Sequence, residues 1–135
     1  MTELGYPTTA EAMTNRLTMI LPDPNYVTLV ADEGHGVIGV AGGTIGWYYE
    51  KDGIYARLLV LAVSSTARGQ GTGSRLVEAV ERWAASKGAR DVVVNSALHR
   101  SAAHGFYERR RYERTGFRFV KQLDADGFAE AELAR

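Results

Sequence analysis

The segment from Arg68 to Gly73 has the residue types and spacing of an anion-binding loop. Its sequence is Arg68-Gly69-Gln70-Gly71-Thr72-Gly73, and it lies between an apolar run at 58–63 and a segment at 74–87 whose apolar residues have helical spacing. In a strand–loop–helix unit of this kind, glycines let successive backbone N–H groups converge, and the positive end of the helix dipole lies behind them. Arg68 adds a permanent positive charge. The segment therefore predicts a binding site for a pyrophosphate group.

Two common classes of phosphate-binding loop do not fit this segment. The loop of nucleoside triphosphatases needs a lysine after its last glycine, whereas Ser74-Arg75 follows Gly73 here and no side chain is placed to hold magnesium. The dinucleotide-binding loop needs Gly-x-Gly-x-x-Gly and an acidic residue at the end of the next strand. This chain has Gly-x-Gly-x-Gly, and Asp91 begins the predicted next strand.

Two motifs in sequence order indicate a third class of loop. The pattern Arg68-x-x-Gly71-x-Gly73 after an apolar strand resembles the acetyl-CoA signature of the GNAT superfamily of N-acyltransferases. Further along, the segment at 101–108, Ser-Ala-Ala-His-Gly-Phe-Tyr-Glu, resembles the helix of that family that carries a functional tyrosine. The distance between the motifs, which includes a helix and a strand at 91–95, is also similar to the family's. The resemblance covers roughly residues 25 to 123.

The resemblance implies that acetyl-CoA is the co-substrate and identifies the residues that contact it. The loop amides would bind the coenzyme pyrophosphate, and the backbone of the preceding strand would bind the pantetheine arm. Arg100 stands where the family usually has an asparagine that contacts the coenzyme, so it either reaches a phosphate or is a solvated surface residue. The implied coenzyme-binding residues are Leu61, Ala62, Val63, Arg68, Gly69, Gln70, Gly71, Thr72, Gly73, Ser74 and Arg100.

The same resemblance makes Tyr107 the candidate catalytic residue. Acetyl transfer releases a thiolate, and because a free thiol has a pKa of about 8.5, the leaving sulfur gains from a hydrogen-bond donor. A phenol can protonate that sulfur. The alternative is that Tyr107 is an amphipathic core residue. The general base is unassigned: His104 is one candidate, Glu50 beside Tyr48 and Tyr49 can face an amine or be an exposed turn carboxylate, and water can also accept the proton.

Composition limits the classes of function. The chain has 135 residues, a formal net charge of zero and no cysteine, with 45% hydrophobic and 24% charged residues. These values predict one globular domain without disulfides, thiolate catalysis or a global basic field for nucleic acid. The three histidines show no zinc-binding pattern, and no apolar run approaches the ~20 residues of a membrane span. We therefore expect a cytoplasmic enzyme with no metal, nucleic-acid or membrane partner.

The order of the elements predicts an α+β fold with a mixed, mostly antiparallel central sheet and flanking helices, over a single domain at 1–135. Thr8 and Glu11 have capping-box spacing at the start of the first helix. Gly42-Gly43 indicates a bulge or a close backbone approach, and Gly88 a helix stop. The expected elements are helices at 8–21 and 74–87, strands at 26–31, 37–49, 54–63 and 91–95, the Tyr107 helix, and a bent strand or a hairpin at 112–123, followed by a tail at 124–135.

The sequence departs from the family pattern at two places, and each departure predicts a structural feature. Arg111-Tyr112 replaces the usual glycine–phenylalanine pair after the tyrosine helix, so a left-handed Arg111 would cost roughly 1 kcal/mol. Residues 1–7 resemble the end of the family's first helix, and the opening strand is therefore expected to be missing. The strand at 26–31 would then be a sheet edge, which predicts a homodimer formed either by edge pairing or by contact through the exposed helix at 8–21. The alternative is a true start upstream of Met1.

These observations favour an N-acetyltransferase that moves an acetyl group from acetyl-CoA to a primary amine by direct attack in a ternary complex. The acceptor stays open between small-molecule and peptide amines, because acceptor pockets are built from variable loops. The alternative from another class is a catalytically idle acyl-CoA-binding or regulatory module of the same fold.

Overall fold

The computed structural model of the chain describes residues 9–34, 36–67, 69–95, 101–116 and 118–123. Two compact units are distinguished along the chain, residues 1–95 and 96–135. Over the described residues, the first unit contains a four-stranded sheet, two α-helices and a short 3-10 helix, and the second contains one α-helix. Each unit is described by itself.

The first helix, α1, spans Ala10–Ile20 and is capped by Thr9. The Thr9 backbone is extended, and its side-chain oxygen accepts a hydrogen bond from the Ala12 N–H at 3.0 Å. The prediction of a cap at Thr8 paired with Glu11 is therefore wrong by one residue, since the cap is Thr9 and its oxygen reaches the amide of Ala12, three residues ahead. The helix ends just before Pro22, as expected.

The sheet has the mixed, mostly antiparallel arrangement that the sequence predicted. Strand β1 pairs antiparallel with β2, β2 antiparallel with β3, and β3 parallel with β4, in the spatial order β1-β2-β3-β4. Among the described residues, β1 has β2 as its single strand neighbour, so it is a sheet edge as predicted. The strand bounds are Tyr26–Asp32 for β1, Val37–Trp47 for β2, Ile54–Val63 for β3 and Ala89–Val94 for β4.

The core lies between one face of this sheet and the second helix, α2, which spans Thr72–Ser86. A side chain at Gly39 would lie 3.0 Å from the Leu76 methyl group, so the helix packs directly on the strand backbone there. Gly88 follows the helix with φ of 87°, which confirms the predicted stop. The buried apolar residues are Ala41, Ala56, Leu58, Ala62, Ala67, Leu76, Val77, Val80 and Ala84.

A β-bulge interrupts the pairing of β2 and β3 at Gly42 and Gly43, where the sequence predicted an irregularity. Gly42 pairs with Val60 and Gly43 pairs with Leu58, so the extra residue is Leu59 on β3. The close approach is also present, because a side chain at Gly42 would lie 2.9 Å from a Val60 methyl group. The glycines are therefore on the regular strand, and the strand that bulges is the one that leads into the glycine loop.

The second unit contains helix α3, Ser101–Arg109, and an irregular segment after it. The predicted bent strand or hairpin at 112–123 is wrong for the described residues 112–116 and 118–123, which have no strand. Phe119 is 91% exposed and Val120 is 74% exposed. β-propensity expresses packing against neighbouring strands, and these side chains have little packing, so the apolar pattern alone does not produce a strand.

Candidate functional site

The glycine loop connects β3 to α2 and is shaped by two left-handed glycines. A short 3-10 helix at Ser65–Ala67 follows β3. Gly69 and Gly71 then have φ of 85° and 79°, a conformation that costs other L-residues about 1 kcal/mol or more. Gly71 is the N-cap residue of α2, and no side chain caps this end of the helix. The strand, glycine loop and helix predicted from the sequence are therefore present in that order.

The first turn of α2 presents backbone donors to the loop. The first hydrogen bond of the helix joins the Arg75 N–H to the Gly71 carbonyl at 3.1 Å. The N–H groups of Thr72, Gly73 and Ser74 precede it, and no helical carbonyl lies in reach of these first amides. Together with the helix dipole they suit an anion. Thr72 is buried, with 1% of the residue exposed, and its hydroxyl oxygen accepts a hydrogen bond from Arg75 Nη2 at 3.5 Å.

Arg75 is a residue at this loop that the sequence interpretation missed. Its guanidinium folds back over the loop, where Nη1 donates to the Gln70 carbonyl at 3.4 Å and Nη2 lies 4.0 Å from a Glu33 carboxylate oxygen. A cation in the first turn opposes the helix dipole. This unfavourable placement of a cation was the signal in the sequence that could have identified Arg75, because an anion bound at the loop would offset the repulsion between Arg75 and the helix dipole.

The strand before the loop has an open edge on one side. Strand β4 pairs with β3 only as far as Leu58, which lies opposite Val94. Leu61, Ala62 and Val63 pair with β2, and no described strand pairs with their other edge. Their backbone groups on that side are therefore available to an extended ligand, as in strand addition. This is the arrangement that the predicted pantetheine contact needs.

The remaining predicted residues fall elsewhere. Arg68 and Arg100 lie outside the described residues. Tyr107 lies on α3 in the second unit, where its half-buried ring meets the rings of Phe106 and Tyr112 edge to face, with centroids 5.3 and 5.7 Å apart. Its catalytic role stays a prediction.

A groove at the end of β2 brings together aromatic and charged side chains. Its volume is about 270 Å³. The sequence interpretation had named Glu50, Tyr48 and Tyr49 as candidates to face an amine, and the groove adds Arg57 and Tyr55 from β3. The lining residues are Trp47, Tyr48, Tyr49, Glu50, Tyr55, Arg57 and Val93.

One wall of this groove is fixed by a hydrogen bond from Tyr48, the residue after β2, to Asp91 on β4. The Tyr48 hydroxyl donates to the Asp91 carboxylate, and Lys51 Nζ lies 3.3 Å from the same carboxylate oxygen. The hydrogen bond to Asp91 is the main cause that raises the pKa of Tyr48 to about 12, and partial desolvation and the charges of Asp91 and Glu50 add to it. The same hydrogen bond, with that from Lys51, lowers the pKa of Asp91.

The described part of the chain contains neither a candidate metal-binding group nor a candidate membrane-spanning helix. Among the described residues, no three histidine, aspartate or glutamate side chains are grouped so that they could hold a metal ion. Within the same part of the chain, no helix is both long and apolar enough to cross a membrane.

Comparison with known proteins agrees with this geometry. Residues 2–112 match the model of the "Acetyltransferase (GNAT) family". The aminoalkylphosphonate N-acetyltransferase of Salmonella typhimurium is 30% identical over 103 residues, which are 76% of this chain and 67% of that enzyme. The Mus musculus protein "Probable N-acetyltransferase family 8 member 5" is 36% identical over 91 residues, 64% of this chain, and the match spans only 38% of the mouse protein.

The fold comparison gives the same result. A crystal structure of a GNAT family acetyltransferase from Staphylococcus aureus superposes with a TM-score of 0.77 at 28% identity, covering 90% of this chain and 83% of that one. The glycine loop, the mixed sheet and the family match over most of the chain thus agree, and the chain belongs to the GNAT family of acetyltransferases.

Proposed function

We propose that this protein is an N-acetyltransferase that transfers the acetyl group of acetyl-CoA to a primary amine by direct attack in a ternary complex. The observation that carries the proposal is the loop at Gly69–Gly71, which ends β3 beside an open strand edge and begins α2 with uncapped amides. A pyrophosphate at the amides and an extended pantetheine arm along the edge match the two parts of coenzyme A.

The proposed reaction forms one bond and breaks one. The nitrogen lone pair of the neutral amine attacks the thioester carbonyl carbon, and negative charge develops on the carbonyl oxygen. A backbone N–H on the open edge of β3, near Leu61–Val63, is the candidate donor to that oxygen. The carbon–sulfur bond then breaks, the thiolate takes a proton from Tyr107, and the amine proton leaves to a base or to water. The products are an amide and free coenzyme A.

The acceptor is proposed to be a small-molecule amine, with peptide amines as the other open class. The Salmonella relative is named for an aminoalkylphosphonate, a small primary amine that carries a phosphonate. The groove at Glu50 has the size of a site for a small molecule, with a volume of about 270 Å³.

Two measurements test the proposal in order. Acetyl-CoA should raise the thermal unfolding midpoint, since a ligand at 100 times its Kd adds ~2.7 kcal/mol to the free energy of unfolding. NAD and ATP at equal concentration should stabilise less, and equal protection by NAD would favour a dinucleotide site. Release of free thiol from acetyl-CoA is then measured across a panel of small amines and peptides. Coenzyme binding with no amine-dependent thiol release would instead support an idle acyl-CoA-binding module.

A further inference from the structure

The groove at the end of β2 holds two opposite charges that do not neutralise each other. Glu50 and Arg57 both line it. No ion pair joins these two described side chains, whereas other charged side chains do pair, as Lys51 with Asp91, Arg75 with Glu33 and Arg114 with Glu108. A carboxylate and a guanidinium in one small groove, without an ion pair between them, are placed to bind the two charges of one ligand.

Arg57 is held by an aromatic ring rather than by an acid. Its guanidinium carbon lies 5.7 Å from the centroid of the Tyr55 ring. A guanidinium over an aromatic face keeps its N–H donors free, and these donors can bind a carboxylate or a phosphonate in a bidentate manner. Arg57 lies opposite Val93 in the β3–β4 ladder, so the backbone beneath it is fixed on both sides by paired strands.

The aromatic wall is preorganised by the absence of a side chain at Gly46. A Cβ atom there would lie 2.8 Å from the Tyr55 ring, so only glycine leaves room for the ring in this position. Tyr55 also packs against Tyr48, with centroids 5.1 Å apart. Tyr48 is in turn held by its hydrogen bond to Asp91. The rings therefore form a fixed surface, whose faces attract cations.

The same rings already contact cations of the chain itself. Lys51 Nζ lies 4.4 Å from the centroid of the Tyr48 ring, and the Arg57 guanidinium lies over the Tyr55 ring. Trp47 and Tyr49, at the mouth of the groove, are exposed. Their faces and the Glu50 carboxylate together suit the ammonium group of a ligand, because an ammonium gains both from a carboxylate and from an aromatic face.

We propose that this groove is the acceptor site and that it selects a zwitterionic small molecule, with the primary ammonium group at Glu50 and the exposed rings and a carboxylate or phosphonate group at Arg57. The assignment of the groove as the acceptor site rests on the proposed transferase function, whereas the binding of the zwitterion to the groove needs no acetyl-CoA. It identifies Arg57 as a specificity-determining residue.

Binding can be measured at the groove without catalysis. The chain has two tryptophans, Trp47 and Trp83, so a Trp83→Phe variant leaves the groove tryptophan as the single indole fluorophore. The probes are the ω-amino acids glycine, β-alanine and 4-aminobutanoate, each compared with the amine and the carboxylate of the same carbon skeleton. We expect at least one amino acid to change the fluorescence with an affinity about tenfold or more above both of its single-charge counterparts, because hydrogen bonds between charged groups contribute that much.

Variants in the Trp83→Phe background assign each charge to its residue. Arg57→Gln should remove the preference for the amino acid over the matching amine, and Glu50→Gln should remove the preference over the matching carboxylate. Asp52→Asn and Arg82→Gln are the matched controls, because both are exposed charged residues that do not line the groove, and they should leave both preferences unchanged. Unfolding midpoints of all variants are measured alongside.

Each outcome of this experiment decides a specific point. Equal affinity for all amino acids and their single-charge counterparts would overturn the groove proposal, as would preferences that survive in folded Arg57→Gln and Glu50→Gln variants. A selective response with no acetylation of the same amino acid when acetyl-CoA is added would retain the zwitterion site but reject the transferase function. Acetylation of single-charge amines with no preference would retain the function and reject the zwitterion site.

Discussion

The backbone N–H of Tyr112 donates to the carbonyl of Tyr107 at 3.0 Å, and the two rings meet edge to face with centroids 5.7 Å apart. With the bond from Arg111 N–H to the Glu108 carbonyl, this is a complete Schellman motif with its hydrophobic contact. Arg111 has φ of 70°, as the motif requires. The candidate catalytic tyrosine is therefore positioned by the residues that end its own helix, and the Tyr112 ring packs against it.

The left-handed Arg111 predicts a stabilising substitution. Arg111→Gly should raise the free energy of unfolding by about 1 kcal/mol, because glycine adopts positive φ without the Cβ penalty. Arg109→Gly, at an exposed helical position two residues earlier, should lower it by about 0.5–1 kcal/mol. Urea denaturation of the three proteins checks both signs. A destabilised Arg111→Gly would mean that the arginine side chain makes contacts worth more than its backbone strain.

Tyr107→Phe tests the proposed general acid. The ring contacts to Phe106 and Tyr112 are kept, so stability and acetyl-CoA affinity should change little. Turnover should fall by about 10²- to 10⁴-fold, the usual contribution of a general acid. Tyr112→Phe removes a hydroxyl from the neighbouring ring and should leave turnover nearly unchanged. Equal rates for wild type and Tyr107→Phe, when chemistry limits turnover, would reduce Tyr107 to a packing residue.

Gly71 tests the pyrophosphate assignment. A side chain at this position would meet only Arg75 Nη1, at 3.6 Å, so small residues fit, and aspartate and asparagine both tolerate left-handed φ. Gly71→Asp places negative charge against the expected phosphate and should abolish the thermal shift caused by acetyl-CoA. Gly71→Asn has nearly the same shape without the charge and should keep more of the shift. Similar shifts in both variants and in wild type would reject the loop as the anion site.

The Tyr48–Asp91 hydrogen bond predicts how stability changes with pH. A phenol whose pKa is raised from 10.0 to about 12 on folding stabilises the fold fully below pH 10.0, and this contribution is lost as the pH rises toward about 12. Asp91, whose pKa is lowered from 3.8, contributes above that pH and loses its contribution as the pH falls below it.

Tyr48→Phe should therefore differ from wild type in unfolding free energy at neutral pH and converge with it in the alkaline range. The expected difference is small because Asp91 is exposed and Tyr48 is only partly buried, so solvent screens the interaction. Tyr49→Phe removes an exposed phenol without this hydrogen bond and should run parallel to wild type. A constant gap between Tyr48→Phe and wild type up to pH 12 would show that the hydrogen bond does not control the alkaline limb.

Because the edge of β1 is open among the described residues, the homodimer stays a prediction. The exposed faces differ in the two proposed modes: Val30 lies on the edge strand and is 57% exposed, whereas Met19 lies on α1 and is 78% exposed. Val30→Lys should dissociate a dimer formed by edge pairing, because a lysine on an edge strand opposes pairing. Met19→Lys should dissociate one formed through α1. Sedimentation at micromolar concentration distinguishes them, and a stable wild-type monomer would reject both.

The sequence alone determined the features that depend on neighbouring residues. The glycines of the loop, the stop at Gly88 and the left-handed Arg111 were predictable because positive φ is a property of a single residue and its helix end. The order of strand, loop and helix followed from apolar periodicity. The resemblance to the family rested on the same local motifs, so it, too, was available before the fold.

The tertiary structure decided what depends on distant pairing. The sequence placed an irregularity at Gly42-Gly43, but only the register with β3 shows that Leu59 is the extra residue. The bent strand or hairpin predicted at 112–123 is absent from the described residues 112–116 and 118–123, because β-structure needs a partner strand.

The candidate acceptor groove shows most clearly that contacts between residues distant in the chain cannot be predicted from the sequence. Tyr48 and Asp91 are 43 positions apart in the chain. Arg57 and Glu50 line one groove because the β2–β3 register places β3 beside the loop at 48–53. Contacts between side chains that are distant in the chain are determined by strand pairing and twist, which no local sequence pattern encodes. The sequence therefore predicted the proposed coenzyme loop, whereas the fold assembled the groove that we propose as the acceptor site.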